Sequence, residues 1–228
     1  YGGVIDVFYK LVALHKAGIK IHLHCYQYDR PEAEILEKYC ETVAYYPRKT
    51  GFISQLSLKP YIVVSRRSGM LLRNLLQDNY PILFEGLHSC FYLNNKALKG
   101  RILVYRESNI EHDYYFNLFR SEHSPGRKLF FLTESLKLRL YQQQLQYATR
   151  MLVVSQTDRD YLAGKFPGKD VVYFPSFHGN NQVQSLPGKG NYVLYHGNLS
   201  VGENLLAAQY LVKEVFNDIP VKLKIAGL

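Results

Sequence analysis

The sequence predicts an α/β protein in which helices cover both faces of a parallel sheet. Three observations support this fold class. Short apolar segments typical of strands alternate with helical segments along most of the chain. Two of these strands end at a glycine: Gly86 comes directly after one strand, and Gly197 comes two residues after the end of another. Polar side chains gather just after the strands, at the edge where parallel α/β sheets bind their ligands.

The periodicity of apolar residues sets the order of the elements. A first helix is predicted from Val4 to Ala17, and Gly18 closes it as a C-cap. The stretch 55–79 is predicted to be helical in its second half, where Leu71, Leu72, Leu75 and Leu76 make one face. The remaining predicted strands are 20–26, 42–46, 81–85, 101–106, 151–155 and 171–174, and the remaining helices are 31–40, 91–98, 112–119, 126–149 and 158–166.

Residues 176–190 interrupt the alternation and are rich in Gly, Asn, Ser, Pro and Gln, which indicates a linker. The predicted domains are therefore residues 1–175 and a second unit at 191–228, with a strand at 192–195, a helix at 202–216 and a strand at 221–226. One strand–helix–strand unit is too small to fold alone. The opening helix also lacks the strand that normally precedes it, so we expect the natural protein to extend beyond both ends.

Composition restricts the classes of ligand and the cell compartment that fit this chain, but it does not identify a function. The net charge of +9 suits an anionic ligand, a nucleic acid or an anionic lipid surface. The basic residues are scattered and no nucleic-acid module motif is present, which argues against nucleic acid. Three cysteines without a C-x-x-C pair fit a reducing cytosol. We find no secretory signal at the start and no apolar run long enough for a membrane span.

The densest group of reactive side chains is 106–112, which holds one Arg, two Glu, one Asn and one His. A carboxylate and an imidazole placed after a strand could exchange protons or hold sugar hydroxyls. The alternative is a helix cap, with Ser108 or Asn109 as the N-cap and Glu111 in the first turn. His88, two residues after Gly86, is open to the same two interpretations.

The segment 191–209 predicts a strand, a tight turn at Gly197 and a helix. A helix that starts after such a turn points free N–H groups at an anion, above all phosphate, although a plain connecting loop has the same pattern. The chain contains no P-loop, no G-x-G-x-x-G and no nucleophile elbow. His22 and His24 lack a third ligand at suitable spacing, so no zinc site is predicted.

Taken together, four segments resemble the family 4 glycosyltransferases, which have the GT-B fold. The glycine pair before the first helix is similar to that family's first glycine loop. The segment 106–115 (RESNIEHDYY) resembles its R-x-H-N-I-E-H-x-Y-Y motif. The stretch from 134–138 (ESLKL) through 151–155 (MLVVS) to Asp158, and the stretch from 195–200 (YHGNLS) to Asn204, follow in the same order as in the family.

The resemblance implies a doubly wound Rossmann-like domain followed by the beginning of a second one, facing each other across a cleft. In that family the first domain binds the acceptor, the second binds a nucleotide sugar, and the sugar is transferred with retention of configuration, without a cofactor and usually without a metal. Carried over residue by residue, the acceptor side would be His88, Arg106, Ser108, Asn109, Glu111 and His112, and the donor-binding residues would be Gly2, Gly3, Gly197 and Asn198.

Three departures from the family pattern bear on this expectation. Ser108 stands where many relatives carry His close to the transferred sugar. Asn198 and then Glu203 or Asn204 stand where many relatives carry Arg and Lys, a pair that neutralises phosphate charge. The acidic pair that grips the donor would lie beyond Leu228. The catalytic residues are therefore unknown, and we expect this chain alone to be inactive.

The sequence thus predicts a retaining hexosyltransferase of polysaccharide biosynthesis that takes its sugar from a nucleotide-sugar donor. The expected acceptor is a glycan or a lipid-linked sugar, and the expected location is the cytoplasm, with peripheral contact at the inner membrane face. Two other classes stay open. One is a nucleotide-sugar epimerase of the same fold, and the other is a non-catalytic domain that binds glycan.

Overall fold

Strands and intervening helices alternate along the chain in the computed structural model, which describes residues 2–27 and 31–227. The strands are β1 His22–Gln27, β2 Thr42–Pro47, β3 Ile82–Glu85, β4 Leu103–Glu107, β5 Arg150–Val153, β6 Asp170–Tyr173, β7 Tyr192–His196 and β8 Lys222–Ala226. The α-helices are α1 Gly2–Lys16, α2 Phe52–Gln55, α3 Tyr61–Val64, α4 Gly69–Leu75, α5 Glu111–Ser121, α6 Pro125–Tyr141, α7 Gln156–Lys165 and α8 Gly202–Tyr210.

All strand pairs of the described chain are parallel, which confirms the predicted α/β class. The ladders form one four-stranded sheet in the order β3-β4-β5-β6 and two separate pairs, β1-β2 and β7-β8. Glu85 lies opposite Arg106 in the register of β3 and β4, and Glu107 lies opposite Val153 of β5. The segments that follow β3 and β4 therefore leave the sheet at the same edge.

The chain divides into two compact units. One comprises Tyr1–His112 and Glu134–Gly179, and the other comprises Asp113–Thr133 and Asn180–Leu228. Residues 174–191 contain no helix or strand, in the region where the sequence predicts the linker. In the first unit, fully buried side chains of β4, β5, α6 and α7 form the core between the sheet and its helices, with Tyr105, Met151, Val153, Leu138 and Leu162 at its centre.

Most predicted strands lie within two residues of the observed ones, but the helix predicted at 31–40 was wrong and the one predicted at 126–149 was too long. The helix predicted at 31–40 is reduced to a short 3₁₀ turn at Glu34–Leu36, which buries no side chain. The second half of 55–79 is helical as predicted, at α4, whose start Ser68 caps. In the first half, Pro60 in an extended conformation precedes the short helix α3. The helix predicted at 126–149 ends at Tyr141 and continues as the 3₁₀ segment Gln142–Tyr147.

Candidate functional site

The carboxyl ends of β3 and β4 bring together the polar residues that the sequence singles out. Glu85 ends β3, and the N–H of Gly86 donates to the carbonyl of Arg106 at 2.8 Å. β4 ends at Glu107, and α5 begins four residues later at Glu111. Because the two strands are parallel neighbours, the chain after Glu85 and the chain after Glu107 meet at one edge of the sheet.

His88 and Glu111 form a hydrogen-bonded pair at this edge. The Nδ1 atom of His88 lies 2.8 Å from Oε1 of Glu111, and the backbone N–H of His88 donates to the same oxygen at 3.3 Å. The His88 side chain is 38% exposed, whereas that of Glu111 is 10% exposed. The carboxylate therefore fixes the imidazole from behind and leaves its outer part open to solvent. Such a pair can hold a sugar hydroxyl or pass a proton.

Gly86 makes the His88–Glu111 pair geometrically feasible. Its φ is +73°, a backbone conformation that side chains other than hydrogen rarely tolerate. A Cβ atom at this position would lie 2.5 Å from the His88 ring and 3.1 Å from Oε1 of Glu111. Glycine is therefore required here both for the turn and for the close approach of the two side chains.

Arg106 lies beneath this edge in a buried ion pair with Asp6 of α1. Its guanidinium is 1% exposed and donates to both carboxylate oxygens of Asp6, with Nη2 3.1 Å from Oδ1. Nη2 also donates to the carbonyl of Pro175 at 3.4 Å, and the N–H of Phe177 donates to Asp6 at 2.6 Å. Arg106 therefore ties α1 and the segment after β6 to the end of β4.

Lys10 and Glu85 complete a largely buried cluster of two acids and two bases, which we call the charge cluster (Asp6, Lys10, Glu85 and Arg106); only the Glu85 side chain, 30% exposed, reaches solvent appreciably. Lys10 pairs with Glu85, and its Nζ lies 3.9 Å from Asp6. Arg106 lies 3.7 Å from the second oxygen of Glu85. Burial lowers the pKa of Lys10, and the charge of Glu85 opposes that shift. With all four groups ionised the cluster is neutral, so its burial leaves no uncompensated charge.

Glu107 is fully buried and points to the same side of β4 as Tyr105, whose hydroxyl donates to its Oε2 atom. Burial raises the pKa of Glu107 well above its ordinary value, and the nearby Glu111 charge raises it further. Oε1 of Glu107 and Oε2 of Glu111 have no hydrogen-bond partner among residues 2–27 and 31–227. This edge of the sheet therefore holds two kinds of ionisable group. The His88–Glu111 pair reaches solvent through its imidazole, and the Glu107 carboxyl group is fully buried.

The other predicted acceptor-side residues lie in different environments. Ser108 and Asn109 are exposed, and the Ser108 hydroxyl donates to Oδ1 of Asn109 at 3.1 Å. His112 is 8% exposed, and its ring packs 6.0 Å from the ring of Tyr161 in α7. Its carbonyl accepts a hydrogen bond from Ser135 at 2.8 Å. The acceptor-side role stays a prediction for all six residues. The structure brings His88 and Glu111 together from distant parts of the chain, whereas Ser108 bonds its neighbour Asn109.

The predicted donor-binding glycines of the first unit, Gly2 and Gly3, open α1 and are exposed. Apart from their chain neighbours and the backbone of α1, no atom of residues 2–27 and 31–227 lies within 4 Å of a Cβ placed on either glycine. The helix that they open reaches the charge cluster one turn later through Asp6. Their contact with a donor stays a prediction.

In the second unit, Gly197 follows β7 and its N–H donates to Ala226 of β8 at 3.1 Å. Asn198 braces the turn, because its Oδ1 accepts from the N–H of Ser200 at 2.9 Å. A side chain at Gly227 would collide with the carbonyl of Gly197, so two backbones meet closely at this strand end. Donor binding by Gly197 and Asn198 stays a prediction.

The helix α8 starts shortly after the Gly197 turn. Val201 precedes it and, in the described chain, gives it no side-chain cap. Its first N–H groups and the positive end of its dipole are therefore available to an anion. Glu203 lies in the first turn of α8. It is an acidic residue at one of the positions where the family resemblance predicts a cation.

Within 2–27 and 31–227, no group of three or more His, Cys, Asp or Glu side chains is placed to hold a metal ion. No helix of this part of the chain has the length and apolar character needed to cross a bilayer.

Sequence reasoning missed Asp6 and Lys10 as parts of this edge. They lie on a predicted amphipathic helix, where charged residues normally face solvent, and their partners are far away in the chain. The only available signal was the spacing of an acid and a base at i, i+4 near the start of a helix that follows glycines.

Comparison with known proteins adds one relative. No protein-family model matches the chain. The chain is 24% identical over 242 residues to an uncharacterized 44.6 kDa protein in the cps region of Klebsiella pneumoniae. The match covers 100% of this chain and 61% of the relative, so the chain spans less than two thirds of that protein's length.

Proposed function

We propose that this protein is a retaining glycosyltransferase that moves a hexose from a nucleotide sugar to a glycan or a lipid-linked sugar. The relative from a cps region, which is a capsule region, supports a role in polysaccharide biosynthesis. The parallel α/β architecture and the resemblance of segment 106–115 to the family 4 glycosyltransferases support the transferase class.

The His88–Glu111 pair is the observation that carries this proposal. It stands at the carboxyl edge of a parallel sheet, with a buried carboxylate behind a part-exposed imidazole. In the proposed reaction, the outer part of the His88 ring holds an acceptor hydroxyl, and Glu111 keeps the ring oriented. The charge cluster holds α1 in place, so Arg106 acts as a positioning residue.

On the donor side, the proposal assigns the diphosphate to the backbone. The turn at Gly197 and the uncapped start of α8 offer N–H groups, and Asn198 shapes the turn. As the donor's glycosidic bond breaks, negative charge develops on the leaving diphosphate, which such preorganised N–H groups stabilise. Gly2 and Gly3 are also proposed as donor-binding residues. No further cofactor and no metal are part of the proposal.

The proposed acceptor determines where in the cell the protein works. A glycan built on a lipid-linked sugar would be extended in the cytoplasm at the inner membrane face, and we propose that the protein works there as a peripheral enzyme. The net charge of +9 supports contact with anionic lipid.

The test is a screen of nucleotide-sugar donors with the full-length protein, read as sugar transfer to lipid-linked and free glycan acceptors. We expect His88→Gln to lower kcat/KM by about 10- to 100-fold, because it removes a hydrogen bond to the acceptor. Glu111→Gln should lower it similarly by releasing the imidazole. His15→Gln is the matched control, since His15 packs on Tyr39 away from this edge and should leave activity unchanged.

Three results would contradict the proposal. Donor epimerisation without acceptor would favour the epimerase. Glycan binding without turnover of any donor would favour a non-catalytic domain. Full activity of the His88 variant, with unchanged thermal stability, would remove the pair from the acceptor site.

A further inference from the structure

Two leucines of one short loop are nearly as exposed as in an unfolded chain. Leu58 is 96% exposed and Leu56 is 70% exposed, and both lie between α2 and α3. Scattered exposed leucines are normal on protein surfaces, but two in one loop leave an apolar tip in water. Lys59 follows directly, and its Nζ lies 5.1 Å above the Phe91 ring.

The loop packs beside α6, which carries further exposed leucines. Lys137 donates to the carbonyl of Gln55 at 3.4 Å, and Glu134 accepts from the N–H of Tyr61 at 2.6 Å. Leu136 is 54% exposed and Leu140 is 76% exposed. Leu136 and Leu140 are four residues apart, so their side chains lie on the same face of α6 at 100° per residue. Lys137 borders this face and bonds the loop at Gln55, so the loop and the helix form one surface. We call it the leucine surface (Leu56, Leu58, Lys59, Leu136, Arg139 and Leu140).

The charge around these leucines is positive. Lys59 and Arg139 are exposed, and Lys137 reaches Glu134 at 2.7 Å. Glu134 is the sole acid in 55–61 and 134–147, and its side chain is 0% exposed because it binds α3 and Lys137. The leucine surface therefore presents apolar and cationic groups, and its complement must be apolar and anionic.

We propose that the leucine surface docks this protein on an anionic lipid bilayer. The loop tip protrudes, with Leu58 almost free of protein contacts, so a rigid partner would need a matching cavity. Acyl chains rearrange around a protruding leucine without such a cavity. The long side chains of Lys59 and Arg139 reach the headgroup phosphates while the leucines enter the acyl boundary. This inference rests on the membrane contact in the proposed function and not on sugar transfer.

The experiment is cosedimentation of the protein with vesicles, without any donor or acceptor present. Vesicles of phosphatidylglycerol and phosphatidylcholine should bind it at least about tenfold more strongly than phosphatidylcholine alone. Leu56→Ser with Leu58→Ser should weaken binding by at least about tenfold, since two leucines no longer leave water. Lys59→Glu should weaken it by more than about fivefold and reduce its sensitivity to salt.

Matched controls come from the linker. Leu186 is 92% exposed, and Lys189 is also exposed. Leu186→Ser and Lys189→Glu should leave vesicle binding within about twofold of the parent. Thermal unfolding of all variants should be unchanged, because the substituted side chains make few contacts.

The proposal is overturned if the parent protein binds no anionic vesicles, or if the leucine variants bind as tightly as the parent. It is also overturned if the same variants abolish a dimer seen by sedimentation velocity, because the surface would then join two copies. Vesicle binding that persists in a protein found to transfer no sugar would support the docking surface and count against the transferase alone.

Discussion

Replacing Arg106 with methionine should destabilise the first unit by about 3–5 kcal/mol. The charge cluster would change from neutral to a net charge of about −1, because Asp6 and Glu85 would face Lys10 alone. Asp6 is 9% exposed at its side chain, so water cannot take over the lost hydrogen bonds. A loss of 4 kcal/mol corresponds to about a thousandfold in the unfolding constant.

Arg150 supplies the matched control. It pairs with Asp170 at 2.6 Å, also in the four-stranded sheet, but the two side chains are 56% and 49% exposed. Arg150→Met should therefore cost at most about 1 kcal/mol. Urea unfolding followed by far-ultraviolet circular dichroism suits the chain, which has no tryptophan. With a slope of about 2 kcal/mol per molar, the Arg106 variant should lose about 2 M in its midpoint.

A second variant separates buried charge from lost packing. Arg106→Met combined with Asp6→Asn restores neutrality at Asp6 and should recover about 1 kcal/mol or more of the lost stability. If Arg106→Met costs no more than Arg150→Met, Arg106 does not compensate a buried charge. If Asp6→Asn adds to the loss, the charge of Asp6 is not its cause.

Two further predictions concern the carboxyl ends of β3 and β4, next to the charge cluster. Gly86→Ala should lower the free energy of unfolding by about 1–3 kcal/mol more than Gly100→Ala, as measured by thermal unfolding. Both glycines have positive φ, but only at Gly86 would the new Cβ lie 2.5 Å from the His88 ring. Equal losses would contradict this close approach. Burial raises the pKa of Glu107, so its contribution to stability is full below about pH 4 and is lost as pH rises through the folded-state pKa. Glu107→Gln should therefore flatten the fall in stability as the pH rises above about 4. An unchanged pH profile would mean that burial does not raise the pKa of Glu107.

The fold was largely predictable because strand signals are local. Apolar runs such as Ile82–Glu85 are short and bounded by Pro or Gly, so periodicity alone places them. The helix predicted at 31–40 failed for a physical reason. It follows Pro31 and carries early acids, but the turn that forms at Glu34–Leu36 buries nothing. A short helix without a packed face is not stable on propensity alone.

The candidate site was predictable only in its parts. The strand-end rule placed His88 and Glu111 at one edge, although 23 residues separate them. Nothing in the sequence pairs Asp6 with Arg106, which is 100 residues away, because ion pairing depends on the final packing of α1. The packing of the His112 ring near Tyr161 likewise depends on the folded arrangement of the first unit and has no sequence signal.

The reach of Asp6 also has a consequence for synthesis of the chain on the ribosome. Its carboxylate binds Arg106 and the N–H of Phe177, which are 100 and 171 residues further along. At about 5–20 residues per second, Phe177 is translated roughly ten to thirty seconds after Asp6. Until then Asp6 lacks one of its partners, although Arg106 and Glu85 are already present. The contacts that hold α1 in the first unit are therefore complete only after the segment that follows β6 has been made.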